Sequence, residues 1–472
     1  MAMHQRWTLR VEGFARFKHA EVALRPLTLF VGENNSGKSY MASLLWGVLA
    51  LGRSFFPVRP GESKAYKACI EVLKRCESQA RARPAQEDSG EFVLSNEDMQ
   101  LFVQWFNELL AKNKKMLVGR VFGNSNLSIG DIRLLDYSRV RPITLAFRPE
   151  DEFVRSSLRG EHQVSVPLGN GGRLPPAYWL HRTAILVAWQ LVGGDSAGRL
   201  VRPGLQLRMD SEPLFLPASR TGFMLTFRAL VGEALSFYDA AVDEAPAASQ
   251  FTLPVVRFLQ ALNSTPSSTG ASYAEIADWL EKTLLQGGIQ QIKQGGAPDY
   301  RYQPFGEGAA SLPMYLSSSL VAELAPIVHF LKHRPSFRTL FIEEPEAHLH
   351  PQAQRAMARA IVRLVNAGLP VVATTHGDTL FQQINNLVQL HGHPQRKALS
   401  AELGYEAGET LAEEMLSVFQ FRREARETTV TALPVTAYGV AVQTFNEPLA
   451  ALTKEIYRLQ EGLDGDAEGD DA

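Results

Sequence analysis

The chain has 472 residues, 45% hydrophobic and 21% charged, and its 48 Lys and Arg against 50 Asp and Glu give a net charge of -2. This composition excludes a disordered or low-complexity chain, and the near-neutral balance argues against a dedicated nucleic-acid binder while leaving a local basic patch open. No apolar run is long enough to span a bilayer and the start, "MAMHQRWTLR", lacks the apolar core of a signal peptide, so a cytoplasmic protein without a membrane partner is expected.

In chain order, "WTLRVEGF" and "AEVALRPLTLFVGE" read as two strands running into a glycine-rich turn. Behind the turn, "SYMASLLWGVLALG" puts Met41, Leu44, Leu45, Val48 and Leu49 on one helical face, with Gly52 as its stop. Residues 60 to 115 read as helical and polar. The only two cysteines, Cys69 and Cys76, fall on one of these helices, about 10 Å apart along its axis, beyond disulfide reach and expected to be reduced. Residues 117 to 220 read as β-type alternation with turns such as "GNGG", ending in the strand-like "EPLFLPASR". A second helical block, 223 to 290, is broken by the linker-like "NSTPSSTGAS".

Next come a hairpin-like "GGIQQIKQGGAPDYRYQPF", the stretch "LPMYLSSSLVAELAPIVHFL", a buried strand "RTLFIEE", a helix "QAQRAMARAIVRLVNAG" and a second apolar strand "LPVVATTH". Strand, helix and strand with continuous apolar runs imply a parallel sheet covered on both faces. From about 400, short strands lead to a closing helix striped by Leu449, Leu452, Ile456 and Leu459, then to the solvated acidic tail "DGDAEGDDA". No helix sustains heptads long enough for an extended coiled coil.

"GENNSGKS", Gly32 to Ser39, fits G-x-x-x-x-G-K-[ST] between a strand and a helix. Backbone N–H groups from Gly32, Glu33, Asn34, Asn35, Ser36 and Gly37 would surround phosphates, Lys38 would neutralise them, the Ser39 hydroxyl would ligate Mg²⁺, and Tyr40 follows on the helix. A chance glycine turn is the bland alternative, which the flanking strand and helix oppose. A P-loop needs a strand ending in carboxylates beside the phosphates, and "TLFIEE" supplies Glu343 and Glu344. The first can hold Mg²⁺ or its water, and the second can orient the attacking water and accept its proton. His376, ending "VVATTH", can hydrogen-bond a γ-phosphate or that water. His348 and His350 offer a His-x-His zinc alternative, but no second cluster of ligands accompanies them.

These pieces in this order resemble ABC-type ATPases of the SMC/RecF/OLD group. "GENNSGKS" is similar to Walker A, "YLSSSLVAEL" to the signature region, "LFIEEPEAHLHP" to Walker B and the D-loop, and "ATTH" to the switch; "LFLPASRTGF" resembles a strand of OLD-like bacterial ATPases. The likeness covers residues 1 to 50 and 300 to 380 well and the middle weakly. It implies an α/β P-loop ABC-ATPase head: a mixed, largely parallel sheet flanked by helices, N-terminal antiparallel strands and helical insertions. The matching division is 1–60 with Walker A, 61–300 inserted, 301–400 with signature, Walker B and switch, 401–462 C-terminal strands and helix, and 463–472 disordered tail.

Carried over, Gly32 to Tyr40 bind ATP, Ser39 and Glu343 hold Mg²⁺, Glu344 is the general base and His376 the switch histidine. Ser317 is the signature serine, contacting the γ-phosphate held by the opposite subunit. Phe14, Arg16 and Phe17 resemble the N-terminal segment that flanks the nucleotide, and Glu346 to His350 form a turn toward the partner subunit. Ser318 and Ser319 replace the glycines of the broader L-S-G-G-Q signature, Glu-Glu replaces Asp-Glu, and no Q-loop glutamine is assigned. Arg220 has two open roles, sensing nucleotide or pairing with an acidic neighbour.

The resemblance further implies ATP and Mg²⁺ as cofactors, and a homo-oligomer of head-to-tail dimers or a larger ring. Without long coiled-coil arms, SMC-like tethering of DNA is not expected. OLD nucleases need a strand-borne Glu and an Asp-x-Asp, whereas Asp464 and Asp466 fall in the acidic tail, so no nuclease is expected in this chain. The effector is then a separate polypeptide, a TOPRIM nuclease encoded nearby, as in the ATPases of PARIS-type two-gene anti-phage systems, where a phage protein is the trigger. One alternative is a RecF-like DNA-binding ATPase of repair, resting on "KNKK" at Lys112–Lys115 and "FRREAR" at Phe421–Arg426, runs that are usually solvated faces. Another is a nucleotide-locked scaffold with little turnover.

Overall fold

The structure, a computed structural model, describes residues 5–82, 90–139, 142–149, 163–168, 176–194, 212–227, 251–265, 267, 270–294, 297–334 and 337–461. Strand β1 (Gln5–Phe14) turns at Ala15 and Arg16 into the antiparallel β2 (Phe17–Ala23). The second N-terminal run, expected as one strand, divides at Pro26. Proline has no N–H for a ladder, the Arg25 N–H donates to the Thr28 hydroxyl at 3.1 Å, and the chain enters another sheet as the fully buried β3 (Leu27–Gly32).

Helix α1 (Lys38–Leu51) buries Met41, Leu44, Leu45, Val48 and Leu49 and ends at its C-cap Gly52, as expected, where a 3-10 turn takes over. A Cβ at Gly52 would sit 2.8 Å from the Trp189 ring, so close packing accounts for that glycine. Helices α2 (Lys64–Arg81) and α3 (Asn96–Phe122), capped by Ser63 and Ser95, bracket β4 (Gly90–Val93). Cys69 and Cys76 lie buried and free on α2, and burial pushes the Cys69 thiol up to about 12, far from a reactive thiolate.

After β5 (Asp131–Arg139), β6 (Thr144–Pro149) and β7 (Gln163–Leu168) comes a correction to the β-type reading: Pro176–Gly193 is a helix, α4. Ala184, Val187, Ala188, Trp189, Leu191 and Val192 are all buried. A helix covered on most sides loses the polar stripe that marks helical periodicity, and its β-branched and aromatic content then imitates strand.

The remainder runs β8 (Leu214–Leu216), α5 (Leu253–Ser264), α6 (Ala274–Leu280), β9 (Gly287–Gln294), β10 (Ala297–Pro304), β11 (Leu312–Pro313), α7 (Ser319–His333), β12 (Leu340–Glu343) and α8 (Pro351–Asn366). Last are β13 (Val371–Thr375), α9 (Asp378–Gly392), α10 (Arg396–Glu402), β14 (Leu416–Arg423), β15 (Thr428–Leu433) and α11 (Gln443–Glu461). The central sheet has the order β15-β14-β3-β13-β12-β8, parallel except for β15, and three small sheets, β2-β1-β5, β4-β6-β7 and β11-β10-β9, accompany it.

Alternation along the central strands feeds two cores. Phe30, Phe341, Val372, Phe419 and Phe421 join α1 and α3 on one face, while Leu29, Val31, Ile342, Val371, Ala373 and Val418 join α7, α8 and α9 on the other. The chain therefore has the largely parallel sheet, covered on both faces, that the apolar runs imply. The C-terminal stripe departs from expectation: α11 docks its start through Phe445 against Phe381, 5.7 Å between rings, but Leu452, Ile456 and Leu459 are more than half exposed. Leu449's side chain, "GNGG", part of "NSTPSSTGAS" and the acidic tail lie outside the described residues. Among the described residues no helix is long and apolar enough to cross a membrane.

Candidate active site

Parallel pairing brings several strand ends to one edge: Gly32 lies opposite Phe421, Val31 opposite Thr375, and Thr374 opposite Glu343. The glycine loop, Glu344 and His376 thus leave the sheet together at its carboxyl end, where ligands of such sheets bind. Gly32 has φ 140°, and a Cβ there would stand 2.2 Å from the Phe421 carbonyl oxygen, so no side chain fits. Gly37 has φ 94°, and its Cβ would meet the Phe17 ring at 2.7 Å. Between them Glu33, Asn34 and Asn35 are exposed, Asn35 in the left-handed region at φ 58°.

Ser36 Oγ donates to the Glu33 carbonyl at 2.8 Å and tightens the loop. Lys38 is turned back into it, Nζ donating to the carbonyls of Gly32 at 2.8 Å and Glu33 at 2.7 Å. Burial lowers the Lys38 pKa, against the pull of Glu344, Glu346, Glu33 and Glu343. An incoming phosphate offers this ammonium a better partner than two carbonyls. Tyr40 is 47% exposed and stacks on Phe122 at 5.3 Å. Phe14 and Phe17 prove to be buried supports beneath the loop, stacked at 6.2 Å. Arg16 keeps an exposed side chain in the adjacent turn, its carbonyl accepting the Thr428 N–H at 2.9 Å.

Glu343 is 8% exposed, and burial raises its pKa above the ordinary carboxylate value while hydrogen bonds from Ser39 and the Ala218 N–H, 3.1 Å away, work the other way. A hydroxyl and a desolvated carboxylate already in contact form a hard oxygen pair suited to Mg²⁺, whose charge would favour the ionised form. Glu344 follows in the left-handed region at φ 45°, its N–H donating to the Thr374 carbonyl at 2.9 Å. The exposed His376 ring places Nδ1 3.7 Å from Glu344 Oε1. The site thus pairs a buried carboxylate, Glu343, with a part-exposed carboxylate, Glu344, next to a histidine.

Glu346 corrects the reading of Glu346 to His350 as one outward turn. It is 5% exposed, and its Oε1 accepts Thr375 Oγ1 at 2.7 Å and the N–H groups of His376 at 2.9 Å and Gly377 at 3.0 Å. His348 and His350 alone face outward, and among the described residues no group of three or more His, Cys, Asp or Glu could hold a metal, which leaves zinc without ligands there. No sequence periodicity singles out Glu346; only the Pro345 before it, which turns the chain back, was available as a signal.

Arg220 resolves toward its acidic option. The side chain is wholly buried, with Nη2 2.7 Å from Glu323 Oε1. Ser317 ends a 3-10 turn after β11, its hydroxyl donating to the Pro313 carbonyl at 3.2 Å, and β11 belongs to a different sheet from the strand that leads into the glycine loop. Ser318, at φ -66°, caps α7, and Ser319 begins the helix, so neither replaces a glycine in a left-handed conformation.

Residues 256–380 match the family model described as an AAA ATPase domain, a span holding Ser317, the paired glutamates and His376 but not the glycine loop. No curated protein matches the chain. Among solved structures it is similar to an SMC head bound to the C-terminal winged-helix domain of ScpA, at 12% identity over 92% of this chain and 99% of that one, TM-score 0.36. It is also similar to the Smc head of Pyrococcus furiosus, with an extended coiled coil and bound to the C-terminal domain of ScpA, at 12% identity over 96% and 100%, TM-score 0.34. The SMC head domain of Thermotoga maritima aligns at 11% identity over 92% and 100%, TM-score 0.31. With the glycine loop and carboxylates on the same sheet edge, the chain is a nucleotide-binding P-loop ATPase.

Proposed function

We propose that the chain holds ATP and Mg²⁺ between Gly32–Tyr40 and Glu343, hydrolyses ATP with Glu344 as general base, and assembles through composite sites that Ser317 of a second copy completes. The carrying observation is the convergence of Lys38, Ser39, Glu343, Glu344 and His376 on one sheet edge. Lys38 swings from the Gly32 and Glu33 carbonyls to the phosphates. Ser39 and Glu343 hold the metal, which neutralises phosphate charge. Glu344 accepts the proton of the attacking water, and His376 hydrogen-bonds the γ-phosphate. Tyr315 and Leu316, 72% and 60% exposed beside Ser317, offer apolar surface to a second copy. Turnover is slow because a complete site exists only in the assembly, a head-to-tail dimer or a larger ring.

The effector is a separate polypeptide, a TOPRIM nuclease encoded nearby, restrained until a phage protein releases it, in the manner of AriA, the ATPase of the PARIS anti-phage system. This part rests on the resemblance of "LFIEEPEAHLHP" and "LFLPASRTGF" to that group. Solution mass of Glu344→Gln, with and without ATP, tests the core of the proposal: ATP-dependent assembly is expected, and monomers in both conditions refute it. Co-purification with the product of the adjacent gene tests the effector.

A further inference from the structure

We infer that the buried Arg220–Glu323 pair ties the signature segment of each subunit to that subunit's own paired glutamates, so that docking of the segment on a second copy sets turnover in the subunit that offers it. This rests on the composite-site reading above and adds its regulation.

Arg220 Nη1 donates to the carbonyls of Pro217 at 2.9 Å and Glu343 at 2.6 Å, and Nη2 donates to the Glu344 carbonyl at 3.0 Å and pairs with Glu323 Oε1 at 2.7 Å. Glu323 Oε2 accepts both the N–H and the hydroxyl of Thr221 at 2.8 Å, and that hydroxyl also lies 3.3 Å from the Ser319 carbonyl. One guanidinium therefore binds three separate segments: the end of β8, the end of β12 and the first turns of α7, which opens at Ser319 directly behind Ser317.

Such a pair contributes little net stability, because desolvation of both charges offsets their attraction, and its best-attested use is to fix register between segments. The backbone agrees. Ser219, next to Arg220 itself, and Glu344, one of the guanidinium's acceptors, sit at φ 57° and 45°, left-handed conformations that cost about 1 kcal/mol each and persist only where surroundings over-determine them. The direction of the Glu344 carboxylate thus depends on the bond its own carbonyl makes to Arg220. When Ser317 to Ser319 dock on a neighbour's nucleotide, a shift of α7 moves Glu323, and through Arg220 the carbonyls of both glutamates. The two sites of a dimer then report to each other, which makes hydrolysis cooperative in ATP.

Arg220 and Glu323 are positioning residues, and the full-length chain tests them by phosphate release against ATP concentration, with solution mass measured in parallel. The wild type is expected to give a sigmoidal curve with a Hill coefficient well above one. Arg220→Met with Glu323→Leu, apolar replacements of similar size, is expected to keep ATP-dependent assembly but give a hyperbolic curve. Should that pair not fold, Glu323→Gln, which retains an acceptor for Thr221, is expected to lower the coefficient, with Arg220→Lys restoring none of it. A hyperbolic wild type that still assembles overturns this inference alone, as does a folded variant with an unchanged coefficient. A wild type that never assembles with ATP overturns the composite-site reading as well.

Discussion

Glu346 Oε1 accepts the Thr375 hydroxyl at 2.7 Å, and the same oxygen takes the N–H groups of His376 and Gly377. One carboxylate oxygen thereby fixes the end of β13 against the turn after β12, and with it the backbone that presents His376. Gly377 belongs to this clamp, because a Cβ there would lie 2.9 Å from Glu346 Cγ.

Glu346→Ala removes an acceptor from three donors, two of them backbone. A stability loss of about 2–3 kcal/mol is expected in urea, the size typical of hydrogen bonds to a charged group. Nucleotide binding should survive, since the glycine loop is untouched, while phosphate release falls about a hundredfold as His376 loses its position. Equal kcat for variant and wild type would show that the clamp serves folding only.

Gly32→Ala should be far more harmful than its size suggests. The added methyl would lie 2.2 Å from the Phe421 oxygen in a backbone at φ 140°, so β3 and β14 must part or the loop must rearrange. Loss of measurable fluorescent-nucleotide binding, together with a lower Tm, is expected. A loop that binds nucleotide normally after this change would contradict the close approach of the two strands.

Much of this site is legible in the sequence because its parts are local. A glycine loop between strand and helix needs no tertiary information, and neither do glutamates at the end of a buried strand. Arg220, Glu323 and Glu346 are different: the sequence separates Arg220 from Glu323 and from Glu343, and only the pairing of β8 with β12 and the packing of α7 bring them together. The same division holds for the fold. The continuous apolar runs of the central strands announce the parallel sheet, whereas α4, buried on most sides, imitates strand, and the stripe of α11 looks the same in sequence whether or not it is covered.

If Glu343 holds Mg²⁺ as proposed, binding of the metal should depend on pH in a defined direction. Burial raises its folded-state pKa above 4.5, so the proton competes with Mg²⁺ at higher pH than at an exposed carboxylate. Mg²⁺ affinity, titrated calorimetrically with ADP present, should fall as pH drops toward and through that raised pKa. Ser39→Ala, which deletes the hydrogen bond that favours ionisation, should move the fall to still higher pH. Without metal the sign for folding is opposite: the stability Glu343 contributes is complete below its unfolded pKa and is lost as pH rises through the folded one. An affinity independent of pH across this range would place the metal elsewhere.

His329 should make the fold acid-sensitive well before carboxylates titrate. It is buried in α7, edge-on to Tyr300 at 5.0 Å and 5.1 Å from the His333 ring, and burial, aided by His333, lowers its pKa to about 3. The unfolded chain takes up this proton near pH 6.5 and the folded one does not, so its contribution is complete above pH 6.5 and is lost as pH falls from there toward 3. The slope from this one group approaches about 1.4 kcal/mol per pH unit. Urea midpoints at a series of pH values should fall more steeply for the wild type than for His329→Leu, which keeps the apolar bulk and removes the proton site. Because α7 also carries Glu323, acid should loosen the Arg220 contacts before β3 and α1 unfold, so cooperativity in ATP should vanish at a higher pH than nucleotide binding. Parallel loss of both would mean that α7 and the glycine loop unfold as one unit.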